Sequence, residues 1–295
     1  MKIGIGLPAA VPDVDATTIG TWAAEAEQVG FASVGVIDRL VYDNLEPLTV
    51  LAAAAASTER VELFTTVLTV GWRANPVLLA KQMASVDLLS GGRLTAGLGL
   101  GGWPEDFAAS DVPTRGGGAR LRHALTTMHR AWDGALSGQG GPMRRLPEGR
   151  PALLFGGLAP AAYHRAAIQG QGWVAPLMGL QMLEDGATAV RKAWADAGRP
   201  GEPRIATGRY FSLGHDADVV ADEYIRHYYG KAFFSMARAD TLTSPQQICD
   251  ELDRLTKAGV TDVVLYPSSA HLGQIALLAD AVSAHRLWPG GSEGW

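Results

Sequence analysis

The chain has 295 residues, 47% of them hydrophobic, and a formal net charge of −5 without a basic block, which argues against nucleic-acid binding. The sequence contains neither an apolar run of about 18 residues that would cross a membrane nor a cleavable leader. The single cysteine, Cys249, excludes an internal disulfide and is typical of a reducing compartment. We therefore expect a cytoplasmic protein with no nucleic-acid or membrane partner.

Short β-type runs alternate with longer helical patterns along the chain. Eight strands are predicted, at Lys2–Leu7, Ser33–Ile37, Val61–Leu68, Arg93–Gly99, Ala152–Phe155, Gly172–Ala175, Arg204–Leu213 and Thr261–Tyr266. Helices are predicted at 16–29, 46–58, 75–90, 119–136, 160–169, 180–197, 217–229, 244–258 and 271–285. Most of the strands are near-continuous apolar runs, as in parallel sheets that are covered on both faces.

This alternation predicts an α/β fold, a (β/α)8 TIM barrel, with a doubly wound open sheet as the alternative. No linker divides the chain, so one domain over residues 1–295 is expected. Two Gly/Pro-rich loops interrupt the pattern, at 100–118 and 137–151. The first is predicted to lie over the catalytic face. The second is either an ordinary loop of the opposite face or an insertion that folds up to the barrel mouth.

The segment LLSGGRLTAGLGLGGW, residues 88–103, predicts a helix end, a glycine turn, a buried strand and then exposed backbone from Gly97 onwards. Glycine has no Cβ, so such backbone approaches a ligand closely. Gly97, Gly99 and Gly102 match G-x-G-x-x-G, but Pro104 follows, no helix is predicted to open there, and the match is not in a first βαβ unit. We therefore favour a surface that contacts a cofactor in a barrel over a dinucleotide-binding motif. The other alternative is a tight turn that contacts no ligand.

Other chemistries find little support in the sequence. There is no G-x-S-x-G for a serine nucleophile, and the seven histidines show no metal-ligand spacing, so no metal site is predicted. No lysine ends a predicted strand, which argues against a Schiff base.

Asp38 and Arg39 end the second strand, where catalytic residues of barrels project. They are the predicted catalytic residues, and a structural ion pair that holds the loop is the alternative. We expect Asp38 to point into the pocket with Arg39 beside it as its counter-ion, because an apolar pocket accommodates a lone carboxylate poorly. If Arg39 points inward instead, it cannot act as a general base near neutral pH, but it can stabilise developing negative charge.

Two features predict a phosphate site. Arg120 lies in the first turn of a helix, against the helix dipole, which suggests an anionic partner; a solvated arginine is the alternative. Gly156 and Gly157 follow the fifth strand and precede Pro160 at a helix start, where backbone N–H groups bind anions.

These residues together resemble the luciferase-like (bacterial luciferase-type) flavin-dependent oxidoreductases. The similarity is carried by KIGIGLP at 2–8, AEAEQVGFASVGVIDRL at 24–40, EPLTVLAAAAASTERVEL at 46–63, NPVLLAKQMASVDLLSGGRLTAGLGLG at 75–101, FGGLAPAAYHRAA at 155–167 and AGVTDVVLYPSSA near the end. The resemblance implies a barrel, often dimeric, that binds FMN or the deazaflavin coenzyme F420 at its mouth. It further implies a non-prolyl cis peptide in the third strand, at Val67–Leu68 or one residue earlier at Thr66–Val67.

The cofactor-binding residues predicted on this basis are Leu7, Val67, Leu68, Gly99, Leu100, Gly101, Arg120, Gly156, Gly157 and Ala159. Three departures from the family pattern stand out. Arg39 takes the place of a histidine, Leu158 or Ala159 that of a serine beside the phosphate, and the segment 137–151 is short.

The expected activity is that of a monooxygenase that uses reduced FMN, which a separate flavin reductase would supply, and O2 on a hydrophobic small molecule. An F420-dependent reductase or dehydrogenase is the first alternative, and a non-catalytic flavin-binding barrel, motivated by Arg39, is the second. A homodimer is expected.

Overall fold

A computed structural model describes residues 1–177, 179–283 and 285 of the chain. Eight parallel strands close into a barrel, in which each strand pairs with the next of the eight along the chain and the last pairs with the first. These strands are β1 (Lys2–Gly6), β2 (Ser33–Val36), β3 (Glu62–Thr69), β4 (Leu94–Gly99), β7 (Ala152–Gly156), β8 (Gly172–Val174), β9 (Arg204–Phe211) and β10 (Asp262–Pro267). The predicted TIM barrel is confirmed, and the open sheet is excluded.

Most helices follow the strands as predicted. They are α1 (Thr18–Val29), α2 (Pro47–Ala56), α3 (Pro76–Ser90), α5 (Gly117–Trp132), α6 (Pro160–Gln169), α7 (Leu180–Asp196), α9 (Pro245–Lys257) and α10 (Gly273–Ser283). The Asn75 side chain accepts a hydrogen bond from Leu78 N (3.0 Å) and so caps α3, where Pro76 is the first helical residue. The last predicted helix, 271–285, is found over 273–283, and residue 284 lies outside the described residues. A single domain over 1–295 stays a prediction.

Two further helices belong to the C-terminal face of the barrel. The six-residue α4 (Pro104–Ala109) lies within the 100–118 loop. The expectation that no helix opens at Pro104 is therefore wrong, because a proline in the first turn followed by Glu105 and Asp106 favours a helix start. α8 (Ala217–Ala239) is longer than predicted and bends at Gly230 (φ 61°). Arg238 folds back onto Asp218 and Asp222, at 2.5 Å from each carboxylate, so that the two arms of α8 lie side by side.

The segment 137–151 lies at the N-terminal face, away from the mouth. It contains a small antiparallel hairpin, β5 (Ser137–Gly138) with β6 (Gly141–Pro142). Pro147 packs near Gly92, at the start of β4, and Leu146 enters the outer core. Of the two predicted locations, the ordinary bottom-face loop is therefore correct.

The described residues form two hydrophobic cores. The larger one fills the space between the barrel and its outer helices and includes Trp22, Leu51, Met83 and Trp132. The smaller one begins inside the barrel with residues such as Phe64, Leu154 and Val264, and continues through the mouth into α8. α8 is thus packed on the mouth rather than in the outer ring. Among the described residues, no helix is both long and apolar enough to cross a membrane.

A bulge in β3 shapes the mouth. The register with β4 shifts between Thr65 and Leu68, and the Thr66–Val67 peptide is cis, the second of the two predicted positions. The Val67 side chain lies between two glycines, Gly99 of β4 and Gly156 of β7. A Cβ added to Gly99 would approach Val67 Cγ2 to 2.6 Å, and one added to Gly156 would approach Cγ1 to 2.9 Å. Both positions therefore require glycine, because any side chain there would overlap Val67.

This packing yields a stability prediction. We expect Gly99→Ala to lower the free energy of unfolding by about 1–3 kcal/mol, because the added methyl group overpacks a closed site. Gly102→Ala is the matched control, since a Cβ at Gly102 meets no atom within 4 Å. The control should be neutral or stabilising by up to about 1 kcal/mol. Denaturant unfolding of both variants measures the difference, and equal midpoints would contradict the role of Gly99.

Candidate functional site

A small cavity opens at the C-terminal end of the barrel, directly beside the β3 bulge. Its volume is about 150 Å³, and its lining includes Thr66, Val67, Gly156, Gly157, Val174 and Leu177. These residues come from β3, β7, β8 and the loops that follow them. Three predicted cofactor residues, Val67, Gly156 and Gly157, are thus brought together at one point of the mouth.

The glycine-rich end of β4 differs from the prediction. Gly97 and Gly99 are buried strand residues, and only Leu100, Gly101 and Gly102 are exposed. A Cβ at Gly97 would collide with the carbonyl oxygen of Thr65, so its bare backbone serves strand packing and not ligand approach. The exposed backbone therefore begins at Leu100, three residues later than expected. Gly101 has a φ of 88°, and a Cβ there would collide with Thr69 Cγ2, so this turn requires glycine.

Two predicted cofactor residues have side chains in the outer core. Leu7 is 3% exposed and Leu68 is fully buried, and both pack between the strands and the outer helices. Any contact of these two residues with a cofactor is restricted to backbone atoms. Val67, the residue between Thr66 and Leu68, faces the barrel interior instead, as the alternation along a strand requires.

The predicted phosphate residues lie at two neighbouring helix starts, because β4 and β7 are adjacent in the barrel. The Arg120 guanidinium donates to the carbonyl oxygens of Pro113 (2.5 Å) and Arg115 (2.6 Å), and its buried Nε has no partner. Ala159 precedes α6 and provides no side-chain cap. An anion would accept hydrogen bonds from the unpaired guanidinium N–H and from the uncapped amides at the start of α6. The residues present therefore fit a cofactor phosphate.

Asp38 is buried and holds the loop that follows β3. Its Oδ2 accepts hydrogen bonds from Thr69 N (2.7 Å) and Arg73 Nη1 (2.6 Å). Arg73 also donates to the Thr69 carbonyl oxygen and stacks on Trp72 at 4.0 Å. Burial raises the pKa of the Asp38 carboxyl, and the attraction of Arg73 offsets this only in part. Asp38 therefore fixes the backbone at the end of the bulged strand.

Arg39 does not pair with Asp38, and that expectation is wrong. Its Nη2 lies 2.7 Å from Glu105 Oε1, and its Nε lies 3.5 Å from Asp106 Oδ2. The guanidinium carbon stacks 3.8 Å from the centroid of the Trp103 ring. Asp38 and Arg39 point in opposite directions, so each finds its partner on a different loop. Adjacency in sequence was a poor guide because residues that follow a strand alternate in direction.

A tyrosine cluster covers the mouth, and the sequence predictions missed it. Tyr224, Tyr228 and Tyr229 of α8 contact Tyr210 of β9, which in turn lies 6.2 Å from Tyr266 of β10. The sequence does contain a signal for this cluster, because Tyr224 and Tyr228 are four residues apart and so lie on one face of a helix. It could not be assigned to the mouth without knowing that α8 crosses the barrel.

The phenols of this cluster are protonated at physiological pH. Burial raises the pKa of Tyr229 to about 12, and it raises the pKa values of Tyr210, Tyr228 and Tyr266 as well. Tyr266 and Thr66 share a hydrogen bond of 2.5 Å between their hydroxyls, at the edge of the cavity. The cluster thus offers hydroxyl donors beside the β3 bulge. In the described part of the chain, no three His, Cys, Asp or Glu side chains are grouped to hold a metal ion.

Comparisons with known proteins agree with this architecture. The family model described as luciferase-like monooxygenase matches residues 1–280, and the chain belongs to that family. Its sequence is 38% identical to the F420-dependent glucose-6-phosphate dehydrogenase of Beutenbergia cavernae, over 37% of this chain and 35% of the relative. It is 30% identical to the enzyme of the same name from Nocardia farcinica, over 50% of this chain and 48% of the relative. The chain thus spans between a third and a half of the length of these relatives.

Solved structures resemble the whole chain. The monooxygenase RslO1 from Streptomyces bottropensis matches with a TM-score of 0.78 and 22% identity, covering 96% of this chain and 98% of that one. An F420-dependent secondary alcohol dehydrogenase in complex with an F420-acetone adduct matches with a TM-score of 0.75 and 18% identity, covering 99% and 100%. At these identities, the likeness establishes the fold.

The pairing of Asp38 predicts a measurable energetic coupling. In a double-mutant cycle of Asp38→Asn and Arg73→Gln, we expect a coupling of about 1–3 kcal/mol in the free energy of unfolding, because both groups share one buried contact. The cycle of Asp38→Asn with Arg39→Gln serves as the comparison and should give a clearly smaller value. Equal coupling energies in the two cycles would contradict this assignment and support the predicted Asp38–Arg39 pair instead.

Arg120 predicts a loss of cofactor affinity. Charge-assisted hydrogen bonds contribute roughly 1.5–3 kcal/mol, so Arg120→Ala should weaken cofactor binding about 10- to 100-fold. Arg122→Ala removes the same charge from an exposed position two residues along α5, and should change the affinity less than about threefold. Absorbance titration measures both variants, and thermal melts check that the fold is retained. Unchanged affinity in Arg120→Ala would exclude this residue from the phosphate site.

Proposed function

We propose that this protein is an oxidoreductase that binds coenzyme F420 at the barrel mouth and transfers a hydride to a small hydrophobic molecule. The family allows flavin or F420, and the sequence-based preference was reduced FMN with O2. What favours F420 is the similarity to curated F420-dependent dehydrogenases at 30–38% identity. The solved structures of both cofactor classes are less than 25% identical and do not separate the two.

The residues that would hold the cofactor are those around the cavity. Val67, with Gly99 and Leu100 beside it, would contact the cofactor ring. Arg120 and the amides of Gly157 and Ala159 would hold the phosphate. Asp38 acts by positioning, since it holds Thr69 and the end of β3 in place. When bound, the reduced deazaflavin supplies the hydride.

The surrounding groups favour reduction of the substrate over its oxidation. Oxidation of an alcohol requires a base, and two carboxylates of the mouth, Asp38 and Glu105, are poor candidates because each is paired with an arginine. The tyrosines are neutral phenols and serve as proton donors. The hydroxyl pair of Thr66 and Tyr266 lies closest to the cavity and is the proposed source of the proton that accompanies the hydride.

The rim of the mouth supports a hydrophobic substrate. Large apolar side chains are exposed on the loops after β2, β4 and β7 and on the second arm of α8; they are Leu40, Val41, Leu100, Leu158 and Phe233. Such a concentration of exposed apolar groups around one opening is typical of a binding site. We also propose the homodimer, and exposed Val77, Leu78 and Leu89 on α3 are available for its interface.

The second candidate is a monooxygenase that uses reduced FMN and O2, with reduced flavin from a separate reductase. Arg39 is the observation that favours it. A guanidinium held at the mouth stabilises negative charge that develops on an oxygen atom. This role needs no general base, so it also accommodates the replacement of histidine by arginine.

Titration of the purified chain with F420 and with FMN, followed by absorbance, tests the proposal. We expect F420 to bind at least tenfold more tightly than FMN, because the cofactor decides the chemistry of such a site. Tighter binding of FMN would overturn the F420 assignment and select the monooxygenase. Binding of neither would leave a non-catalytic barrel. Arg120→Ala is the control that ties the measured affinity to the proposed phosphate site.

A further inference from the structure

Arg39 is a buried cation with aromatic walls. Its side chain is 4% exposed. The guanidinium carbon lies 3.8 Å from the Trp103 ring centroid, 5.3 Å from that of Tyr42 and 5.6 Å from that of Tyr228. Burial of a guanidinium is costly unless its donors are satisfied, yet among the described residues its Nε, 3.5 Å from Asp106 Oδ2, has no hydrogen-bond partner. The surroundings therefore hold the charge in place and leave part of its bonding capacity open.

The two carboxylates beside Arg39 differ in how firmly they are held. Asp106 is 2% exposed, and its Oδ1 accepts a hydrogen bond from Val41 N (2.9 Å), so it is fixed in the structure. Glu105 is 47% exposed. Within the ranges 1–177, 179–283 and 285, its side chain makes one hydrogen bond, to Arg39 Nη2 at 2.7 Å. Glu105 is thus the more weakly held of the two carboxylates, and its exposed side chain is the one that covers Nη2.

We propose that Arg39 binds the carboxylate of the substrate and that Glu105 occupies this position when the substrate is absent. Glu105 shows by its own contact that the position accepts a carboxylate. Asp106 keeps the guanidinium oriented during the exchange. The Glu105 contact is the replaceable one, because its carboxylate is half exposed and water competes for it.

The walls select the rest of the ligand. Trp103 and Tyr42 are partly exposed aromatic side chains beside the guanidinium, with Tyr228 buried behind them, and aromatic rings stack on exposed aromatic faces. The substrate class that fits is therefore an aromatic carboxylate whose ring lies against Trp103 and whose acid group reaches Arg39. This inference rests on the proposed function and adds a substrate class to it.

Binding of 2-naphthoate and its neutral analogue 2-naphthamide to the full chain tests the inference. Calorimetric titrations are run with and without the cofactor identified above. We expect naphthoate to bind at least tenfold more tightly than naphthamide. Glu105→Ala should bind naphthoate about 5- to 10-fold more tightly than the parent, with naphthamide unchanged, because an internal competitor is removed. Asp133→Asn is the matched control, since it removes an exposed carboxylate paired with Arg150 at the opposite face, and it should behave as the parent.

Arg39→Gln should abolish the preference for naphthoate. If that variant does not fold, the Glu105→Ala result decides. Equal binding of the two probes by the parent, or unchanged naphthoate affinity in Glu105→Ala, would overturn the inference and leave a structural latch that holds α4. The cofactor titration is read on the same samples. Cofactor binding without a naphthoate preference refutes this inference alone, whereas naphthoate binding without cofactor binding refutes the proposed function alone.

Discussion

The insertion of Val67 between Gly99 and Gly156 is the contact on which the barrel mouth depends. At the bulge in β3 this side chain faces the barrel interior, and only glycine at these positions of β4 and β7 leaves room for it. Val67 and Gly156 both line the cavity, so the cavity begins at this contact. The same bulge places Thr66 against Tyr266 and Thr69 against Asp38. The packing of Val67 against the two glycines thus sets the positions of the cavity, the Thr66–Tyr266 hydroxyl pair and the Asp38 carboxylate.

Ion pairs at the two ends of the barrel have different properties. At the N-terminal end, Arg204 bonds Glu62 (2.8 Å) and Asp262 (2.7 Å), whose side chains are only 17% and 7% exposed. Arg204, Glu62 and Asp262 all project from strands, so the backbone of each is held by the sheet. Such a contact stabilises the barrel. At the mouth, Arg39 has one fixed partner and one exposed partner on a short loop helix. Of these two arginines, Arg39 is therefore the one with a partner that can be exchanged.

The sequence predicted the elements well and their contacts poorly. Each strand and outer helix was located within a few residues, because apolar runs, N-capping Asn75 and the glycines after helices are local signals. The short α4 and the second arm of α8 were missed, because nothing local shows that a segment after Gly230 folds back through Arg238. The mistaken Asp38–Arg39 pair has a similar origin. Arg73 and Glu105 are 35 and 66 residues away from their partners, and such distances carry no periodic signal.

Trp103 is where the cap, the loop helix and the buried cation meet. It precedes α4, lies 6.0 Å from Tyr228 and 6.4 Å from Phe233 between ring centroids, and stacks on Arg39. The first arm of α8 closes the mouth with tyrosines, and the second arm borders Trp103 with Phe233. Trp103 thus connects the apolar rim with the buried cation, since Phe233 lies at the ring and the Arg39 guanidinium stacks on it. In the proposed site the apolar body of the ligand would contact Trp103 and its acidic end would pair with Arg39, so this one side chain links the two features that the inferred substrate combines.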